Sequence, residues 1–259
     1  MLIYTKDFKM NIQTSDKSFT LFNQTFQEHY HSTKDRALKE TLHKHIFPSF
    51  AYFKNKQKLR ILDICFGLGY NTLCAIKYAS SYGIQSLEIH SPEMDSCLLK
   101  SLSSLTYPQE LDLEILNSLT QNHFYKSKNL EVFLHLGDAR EILKSFQKSF
   151  FDIVFQDAFS PVKNPLLWTY EYFKTLFLLT QKDCILTTYS QNSAMLYSAF
   201  LAGFKPFKLI QKHTRDSIIF TKLESAPPLK LENVLTIKPI NLAHKITTNH
   251  NLKGLYDSF

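Results

Sequence analysis

The stretch LRILDICFGLGYNT, residues 59–72, decides the fold of this chain. Its first eight residues form an apolar run that predicts a buried strand, and Gly67 and Gly69 follow just before a helical pattern. Two glycines let the backbone turn tightly and approach a ligand at the start of the helix. A dinucleotide fingerprint would need a third glycine where this chain has Thr72, which argues against a pyrophosphate cofactor.

Strands and helices alternate after this turn. The further predicted strands IQSLEIH, VFLHLGD, FDIVFQD and DCILTTYS are separated by helical patterns. The last two runs, FKLIQK and SIIFTK, are joined by HTRD, which is too short for a crossover helix and predicts an antiparallel hairpin. The sequence therefore predicts an α/β fold with an open, mostly parallel seven-stranded sheet, helices on both faces and a C-terminal antiparallel hairpin.

This pattern divides the chain into three sections. Residues 1–58 form an N-terminal extension, with a hairpin and a helix that Pro48 is expected to break or kink. Residues 59–222 form the α/β domain, in which residues 105–130 are predicted to be a long polar connection. Residues 223–259 form a C-terminal tail.

Composition indicates a cytoplasmic protein with an anionic partner. The net charge of +7 favours nucleic acid, although a lysine-rich surface that only keeps the protein soluble gives the same balance. The polar N-terminus is unlike a signal peptide, and no apolar run is long enough for a membrane span. The pairs His29/His31 and His43/His45 lack completing ligands, and the four cysteines show no ligand spacing, so no metal is predicted.

Acidic residues accompany three successive predicted strands. Asp63 lies in the first, Glu88 in LEIHSPEMD near the end of the second, and Asp138 at the end of the third. Ligands of open α/β sheets bind at the carboxyl ends of the strands. Asp138 is also suited to cap the next helix, and Glu93 is favoured by the helix dipole in a first turn. Three such sites in a row are harder to explain as caps.

The fourth strand ends in QDAFSPVKNPLLWT, which is richer in polar and rigid residues than a turn requires. Asp157 follows the strand, and two prolines would stiffen the loop so that Phe159 and Trp168 form apolar or stacking walls. Lys163 and Asn164 would face a phosphate or lock the loop internally. For Trp168 the alternative is packing in the protein core.

These motifs resemble those of a known family. The D-x-x-x-G-x-G turn resembles motif I of S-adenosylmethionine-dependent methyltransferases. Residues 151–169, with FGLGYNT and the later LTTYS…AGF, closely resemble the methyltransferase domain of the MnmC family. The resemblance covers roughly residues 15–222 and includes QEHYHSTKDRALKETLHKHIF, in which Glu40 takes the acidic position. No part of the sequence resembles the flavin-dependent oxidase domain of the bifunctional members.

The resemblance implies methylation of the 5-aminomethyl group of the tRNA wobble uridine, thiolated or not, with S-adenosylmethionine as cofactor and tRNA as partner. A separate enzyme would supply the aminomethyl precursor. Asp157 is the implied catalytic residue, Glu88 would bind the ribose hydroxyls and Asp138 the adenine amino group. The implied cofactor-binding residues are Asp63, Gly67, Gly69, Asn71, Glu88, Asp138 and Ala139. The implied substrate-binding residues are Phe159, Lys163, Asn164, Trp168 and Tyr189.

Departures from the family pattern concern the contacts with the substrate. Met195 and Leu196 replace a V-R pair, and the loop near the last hairpin is reduced to KHTRDS. Basic side chains near the last hairpin would supply phosphate contacts instead, although their presence is equally explained by a solvated protein surface. They are Lys205, Lys208, Lys212 and Arg215. One alternative function is methyl or aminopropyl transfer to a small amine, since polyamine synthases share the architecture. Another is a non-catalytic tRNA-binding module.

Overall fold

The computed structural model describes residues 12–248 and 252–257. The first eleven residues of the predicted N-terminal extension and parts of the predicted tail lie outside this range. None of the helices in the described part of the chain is long and apolar enough to cross a membrane.

The strands are β1 (Ile12–Gln13), β2 (Phe19–Thr20), β3 (Phe22–Asn23), β4 (Glu28–His29), β5 (Lys58–Ile64), β6 (Ser86–Glu93), β7 (Phe124–Ser127), β8 (Leu130–Leu136), β9 (Phe151–Gln156), β10 (Thr180–Thr188), β11 (Lys205–Gln211), β12 (Ser217–Thr221) and β13 (Val234–Pro239). The α-helices are α1 (Ala37–Thr41), α2 (Phe47–Tyr52), α3 (Tyr70–Tyr78), α4 (Ser96–Ser101), α5 (Leu113–Asn122), α6 (Ala139–Leu143), α7 (Tyr170–Leu179), α8 (Ser193–Leu201) and α9 (Leu242–Thr248). A π-helical segment covers Leu42–Ile46, and short 3₁₀ turns cover Ser80–Tyr82, Leu102–Ser104 and Pro165–Leu167.

The large sheet of the described chain has the strand order β13-β11-β12-β10-β9-β5-β6-β8-β7. The five central strands run parallel to one another, in the order β10, β9, β5, β6 and β8. Strands β12, β11 and β13 at one end and β7 at the other pair in antiparallel fashion. The predicted mostly parallel sheet and its C-terminal hairpin are therefore confirmed. The order reverses between β5 and β9, which is where ligands of such sheets bind.

Hydrophobic clusters cover both faces of this sheet. Alternate residues of β5 point to opposite faces, so Leu59 and Ile61 join one cluster while Leu62 and Ile64 join the other. All residues of β9 are buried, as expected for a central strand that is covered on both sides. The helical segment that contains Ile46 packs into the first cluster, so it forms part of the same core.

The sheet has nine strands rather than the predicted seven. Residues 105–130 were expected to be a polar connection, but they contain α5 and β7. Helix α5 buries an apolar face with Ile115, Leu116 and Leu119, and its exposed polar residues obscure this face in the sequence. The predicted tail contains β13, which pairs with β11 and is mostly exposed because it lies at the edge.

Pro48 does not break the helical path from α1 to α2. It stands at the start of α2, where its missing N–H costs little, and the residues before it form the π-helical segment. In that segment the N–H of Phe47 donates to the carbonyl oxygen of Leu42, five residues earlier. The local irregularity near Pro48 is therefore a wider helical turn.

Candidate active site

A cavity of about 740 Å³ lies at the carboxyl ends of the parallel strands. The loops that follow β5, β6, β8 and β9 contribute to its wall. The opposite side is formed by the antiparallel hairpin of β3 and β4 and by the residues after it, up to Lys34. The cavity therefore lies between the sheet edge and the N-terminal extension.

The two glycines of the first turn have different positions. Gly67 lines the cavity, and a Cβ atom there would lie 3.4 Å from the ring of Tyr30. Gly69 precedes α3 with a φ of 79°, and a Cβ atom there would lie 3.0 Å from the ring of Phe66. Gly69 is not among the residues that line the cavity, so it shapes the turn.

Glu93, rather than Glu88, lies at the end of the second parallel strand. Glu93 is nearly buried and lines the cavity, and its carboxylate accepts the N–H groups of Gly67 and Asp95, both at 2.9 Å. Glu88 lies near the start of β6, away from the cavity, and pairs with Lys58 at 2.5 Å. Glu88, the predicted ribose contact, therefore does not line the cavity, because β6 continues to Glu93 and Glu88 lies near its start.

Asp138 lies at the cavity and also caps a helix. Its Oδ1 accepts the N–H of Arg140 at 2.8 Å in the first turn of α6. The side chain is exposed, and both Asp138 and the buried Ala139 line the cavity. The capping role therefore leaves the second carboxylate oxygen available to a ligand.

Asp63 lies behind the glycine turn and does not line the cavity. Its Oδ2 accepts the hydroxyl of Thr72 at 2.7 Å, and burial raises the pKa of Asp63 to about 7. The predicted direct cofactor contact of Asp63 is therefore not seen. Thr72, which stands where a dinucleotide fingerprint has its third glycine, instead binds this carboxyl group.

Asp157 follows β9 and lines the cavity, with 9% of its side chain exposed. Asn71, which also lines the cavity, donates from Nδ2 to Oδ2 of Asp157 at 2.9 Å. Nε2 of His45 lies 3.4 Å from Oδ1. Burial would raise the pKa of Asp157, but His45, His31 and the hydrogen bond from Asn71 together lower it. The carboxylate is therefore ionised at neutral pH.

The loop after Asp157 is held by aromatic contacts. The ring of Phe159 lines the cavity and stacks on Phe26 with 4.6 Å between centroids. Trp168 is fully buried, and its Nε1–H donates to the carbonyl oxygen of Phe159 at 2.8 Å. The predicted role of Trp168 as a substrate wall is therefore wrong: it packs in the core and supports the loop from behind. Lys163 and Asn164 line the cavity, and Lys163 is exposed.

Tyr189 lies after β10 and also lines the cavity. Its hydroxyl donates to the carbonyl oxygen of Ala158 at 3.0 Å, which connects the ends of β9 and β10.

Three of the four basic residues expected to contact phosphate have acidic partners. Lys205 pairs with Glu224 at 3.0 Å and Lys208 with Asp216 at 2.9 Å. The guanidinium of Arg215 lies 2.8 Å from Asp35, although most of its side chain is exposed and it lines the cavity. The charge of this region is therefore partly neutralised within the protein.

Several residues at the site were not assigned to it from the sequence. His31 lines the cavity, Tyr30 packs over Gly67, and Glu28 accepts the N–H of Ser160 at 3.0 Å. They belong to QEHYHSTKDRALKETLHKHIF, whose family likeness was the available signal. In the described part of the chain, no group of three or more His, Cys, Asp or Glu side chains is arranged to hold a metal ion.

Comparisons with known proteins agree with this geometry. A family model described as S-adenosyl-L-methionine-dependent methyltransferase matches residues 107–214. The chain is 32% identical over 212 residues to an uncharacterized protein of Methanocaldococcus jannaschii. The matched region covers 77% of this chain and 56% of that protein. It is 28% identical to the Campylobacter hominis tRNA 5-methylaminomethyl-2-thiouridine biosynthesis bifunctional protein MnmC, over 71% of this chain and 28% of that protein. The chain therefore spans about half of the first relative and under a third of the second.

Solved structures are also similar. The crystal structure of MNMC2 from Aquifex aeolicus matches with a TM-score of 0.80 and 29% identity, over 96% of this chain and 78% of that one. Spermidine synthase from Thermotoga maritima matches with a TM-score of 0.50 and 14% identity, over 82% and 72% of the two chains, which indicates a shared fold only.

The fold and the strand-end site define an S-adenosylmethionine-dependent methyltransferase. Within this class, the chain is similar to the methyltransferase domain of the MnmC proteins, as its sequence motifs predicted.

Exchanging Glu93 for glutamine should weaken binding of the methyl donor by about 1–3 kcal/mol. The carboxylate already accepts two N–H groups, and glutamine offers one neutral acceptor oxygen in its place, so less acceptor capacity remains for the donor. Glu88→Gln is the matched control, since Glu88 lies away from the cavity. Calorimetry with S-adenosylhomocysteine, the demethylated form of the donor, measures both affinities. Weaker binding by Glu88→Gln than by Glu93→Gln would return the ribose contact to Glu88.

Proposed function

We propose that this chain transfers a methyl group to the exocyclic amine of 5-aminomethyluridine, thiolated or not, at the wobble position of tRNA. The observation on which this rests is the Asp157 carboxylate at the cavity, which accepts a hydrogen bond from Asn71 and has Nε2 of His45 3.4 Å away. A relative is named for biosynthesis of tRNA 5-methylaminomethyl-2-thiouridine, whose methylated amine is the product of this transfer. The reaction is proposed for the cytoplasm, where a separate enzyme would supply the aminomethyl group.

The residues of the cavity fit a methyl donor with adenosine. Gly67 permits close approach of a ligand to the backbone, and Glu93 and Asp138 offer carboxylate oxygens to hydroxyl and amino groups. We propose that Glu93 binds the ribose, Asp138 the adenine amino group, and Ala139 the adenine ring. When bound, S-adenosylmethionine supplies an electrophilic methyl group on a sulfonium sulfur.

Asp157 acts on the amine. An alkyl amine is mostly an ammonium at neutral pH, and an ammonium has no lone pair with which to attack a methyl group. The Asp157 carboxylate attracts and orients this ammonium, but it also raises the pKa of the amine. Because its own pKa is low, Asp157 is a weak proton acceptor. Its main contribution is therefore the position of the nitrogen.

His31 is a second group that can accept the proton. It lines the cavity near Asp157, and burial lowers the pKa of its imidazole, so the ring is neutral at neutral pH. A neutral imidazole carries a lone pair that can accept a proton. We assign His31 the uptake of the amine proton and Asp157 the orientation of the nitrogen.

The substrate base would lie against Phe159. Phe26 stacks on this ring and Tyr30 lies 5.1 Å from it, so its orientation is fixed before the substrate binds. Lys163 and Arg215 at the cavity are suited to contact phosphates of the tRNA. A small amine would use neither the aromatic wall nor these cations, which favours the tRNA substrate over a polyamine.

Purified protein should methylate tRNA that carries 5-aminomethyluridine, and nucleoside mass spectrometry should detect 5-methylaminomethyluridine. The same tRNA with unmodified wobble uridine is the matched control and should gain no methyl group, because it has no amine to attack. Putrescine offers a small amine to the same site. Methylation of putrescine but not of the aminomethyl tRNA would overturn the proposal, and a failure to bind the donor would indicate a non-catalytic binding module.

A further inference from the structure

We infer that His45 is a positioning residue for Asp157: together with Thr187 it holds the carboxylate toward the cavity. This inference rests on the proposed function. His45 lies behind Asp157, is fully buried and is not among the residues that line the cavity. It therefore acts on the reaction through neighbouring groups, and Asp157 lies 3.4 Å from its Nε2.

The distances place His45 between two partners from different strand ends. Its Nδ1 lies 2.8 Å from Oγ1 of Thr187, near the end of β10. Its Nε2 lies 3.4 Å from Oδ1 of Asp157, which follows β9. Nε2 is buried and has no hydrogen-bond partner within the described chain, so its contact with Asp157 is longer than a hydrogen bond. An unsatisfied buried nitrogen directed at a carboxylate is costly unless the two groups interact.

One tautomer suits both neighbours. With the proton on Nε2, a donor lies 3.4 Å from Oδ1 of Asp157, a contact longer than a hydrogen bond, while Nδ1 accepts the hydroxyl of Thr187. The opposite tautomer would direct a lone pair at the carboxylate and is therefore disfavoured. The carboxylate therefore selects this tautomer, and the hydroxyl of Thr187, which can donate or accept, complements it.

The backbone also fixes the ring. His45 belongs to the π-helical segment Leu42–Ile46, and such wide turns recur at functional sites because they redirect a side chain within a helix. The imidazole lies edge-to-face against Phe155 of β9, with 5.7 Å between the centroids. The helical backbone and the contact with Phe155 together limit rotation of the His45 ring.

Other charged groups surround this pair. His31 and Asn71 act on Asp157 from the cavity, and the buried Asp63 lies within electrostatic range of both Asp157 and His45. Glu40 and Lys44 act on His31 in turn. Among these groups, His45 has a ring nitrogen directed at Oδ1 of Asp157, whereas Asn71 occupies Oδ2. Each carboxylate oxygen therefore has its own partner.

The test compares His45→Leu with His45→Gln and Thr187→Val in single-turnover methylation of aminomethyl tRNA at several pH values. We expect His45→Leu to lower the rate about a hundredfold through misplacement of the carboxylate, with donor affinity unchanged. His45→Gln retains an N–H donor and should recover most of the rate. Thr187→Val should show a smaller loss than His45→Leu.

A readout without substrate separates this inference from the proposed function. The carboxyl carbon of Asp157, assigned by comparison with Asp157→Asn, can be followed by NMR during a pH titration. We expect Asp157 to titrate at higher pH in His45→Leu than in the wild type, whether or not tRNA is the substrate. If His45→Leu does not fold, the rate and the Asp157 titration of Thr187→Val decide, because His45→Gln is expected to be near normal. A normal rate and an unchanged Asp157 titration in His45→Leu, or in Thr187→Val where His45→Leu does not fold, would overturn the role of His45. An inactive wild type with the expected titration shift would overturn only the proposed function.

Discussion

Replacing Asp157 by asparagine should lower the single-turnover rate of methyl transfer about a hundredfold or more, the loss expected when the attacking nitrogen is misplaced. Asparagine keeps the shape of the side chain and can still meet Asn71, but it loses the charge that attracts an ammonium. Donor affinity should stay near that of the wild type, because Glu93 and Asp138 remain. The measurement pairs rapid-quench methylation of aminomethyl tRNA with the melting temperature of each protein.

The pH dependence follows from the low pKa of Asp157. Its carboxylate is already ionised at neutral pH, so a rising pH changes the amine rather than Asp157. More of the amine then carries a free lone pair, and the Asp157→Asn variant should recover part of its lost rate in alkaline buffer. A loss that stays constant up to the pKa of the amine would argue that Asp157 contributes through something other than the ammonium.

Asp152→Asn is the matched control on the same strand. Asp152 lies in β9 near its other end, where its carboxylate binds Lys56 and the N–H of Arg60. This variant should lose some stability but methylate at the normal rate. A stable Asp157→Asn protein with a near-normal rate would show that Asp157 only supports the turn after β9.

Strand ends could be predicted from the sequence because they depend on local patterns. The apolar runs and the two glycines defined β5 and its turn, and the likeness of residues 151–169 to a family placed Asp157 at the cavity. The error at Glu88 arose where the pattern is ambiguous. Pro92 in SPEMD is typical of a helix start, yet β6 continues through it to Glu93. The pairing of β6 with β5 ends at His90, so Pro92 lies beyond the paired part of that side and does not mark the strand boundary.

Long-range contacts could not be predicted in the same way. His45 and Thr187 are 142 residues apart, and no local period connects them. The lack of completing ligands argued against a metal at His43 and His45, but it carried no information about a carboxylate at the end of β9. Trp168 shows the reverse case, since an aromatic residue in a functional loop resembles a substrate wall until its burial is known.

A buried ion-pair network connects the N-terminal helix to the cavity. The ammonium of Lys44, next to His45 in the π-helical segment, lies 2.6 Å from Asp35 and 2.8 Å from Glu40. All three side chains are almost fully buried, and Arg215 adds a second cation against Asp35. Removing one partner of a buried network leaves unpaired charge in a medium that solvates it poorly.

Lys44→Met should therefore reduce the free energy of unfolding by about 3–5 kcal/mol at neutral pH. Lys77→Met, on the exposed face of α3, is the matched control and should change it by less than about 0.5 kcal/mol. Burial raises the pKa of Asp35, but Lys44 and Arg215 outweigh it, so the net effect is a lowered pKa. The stability that this ion pair contributes is therefore present above the normal pKa of aspartate and is lost as the pH falls through the pKa of Asp35 in the folded protein. The difference between Lys44→Met and the wild type should accordingly be largest at neutral pH and shrink in acid, as measured by urea unfolding across this range. Equal stability of the Lys44→Met and Lys77→Met proteins at neutral pH would mean that Arg215 alone neutralises both carboxylates.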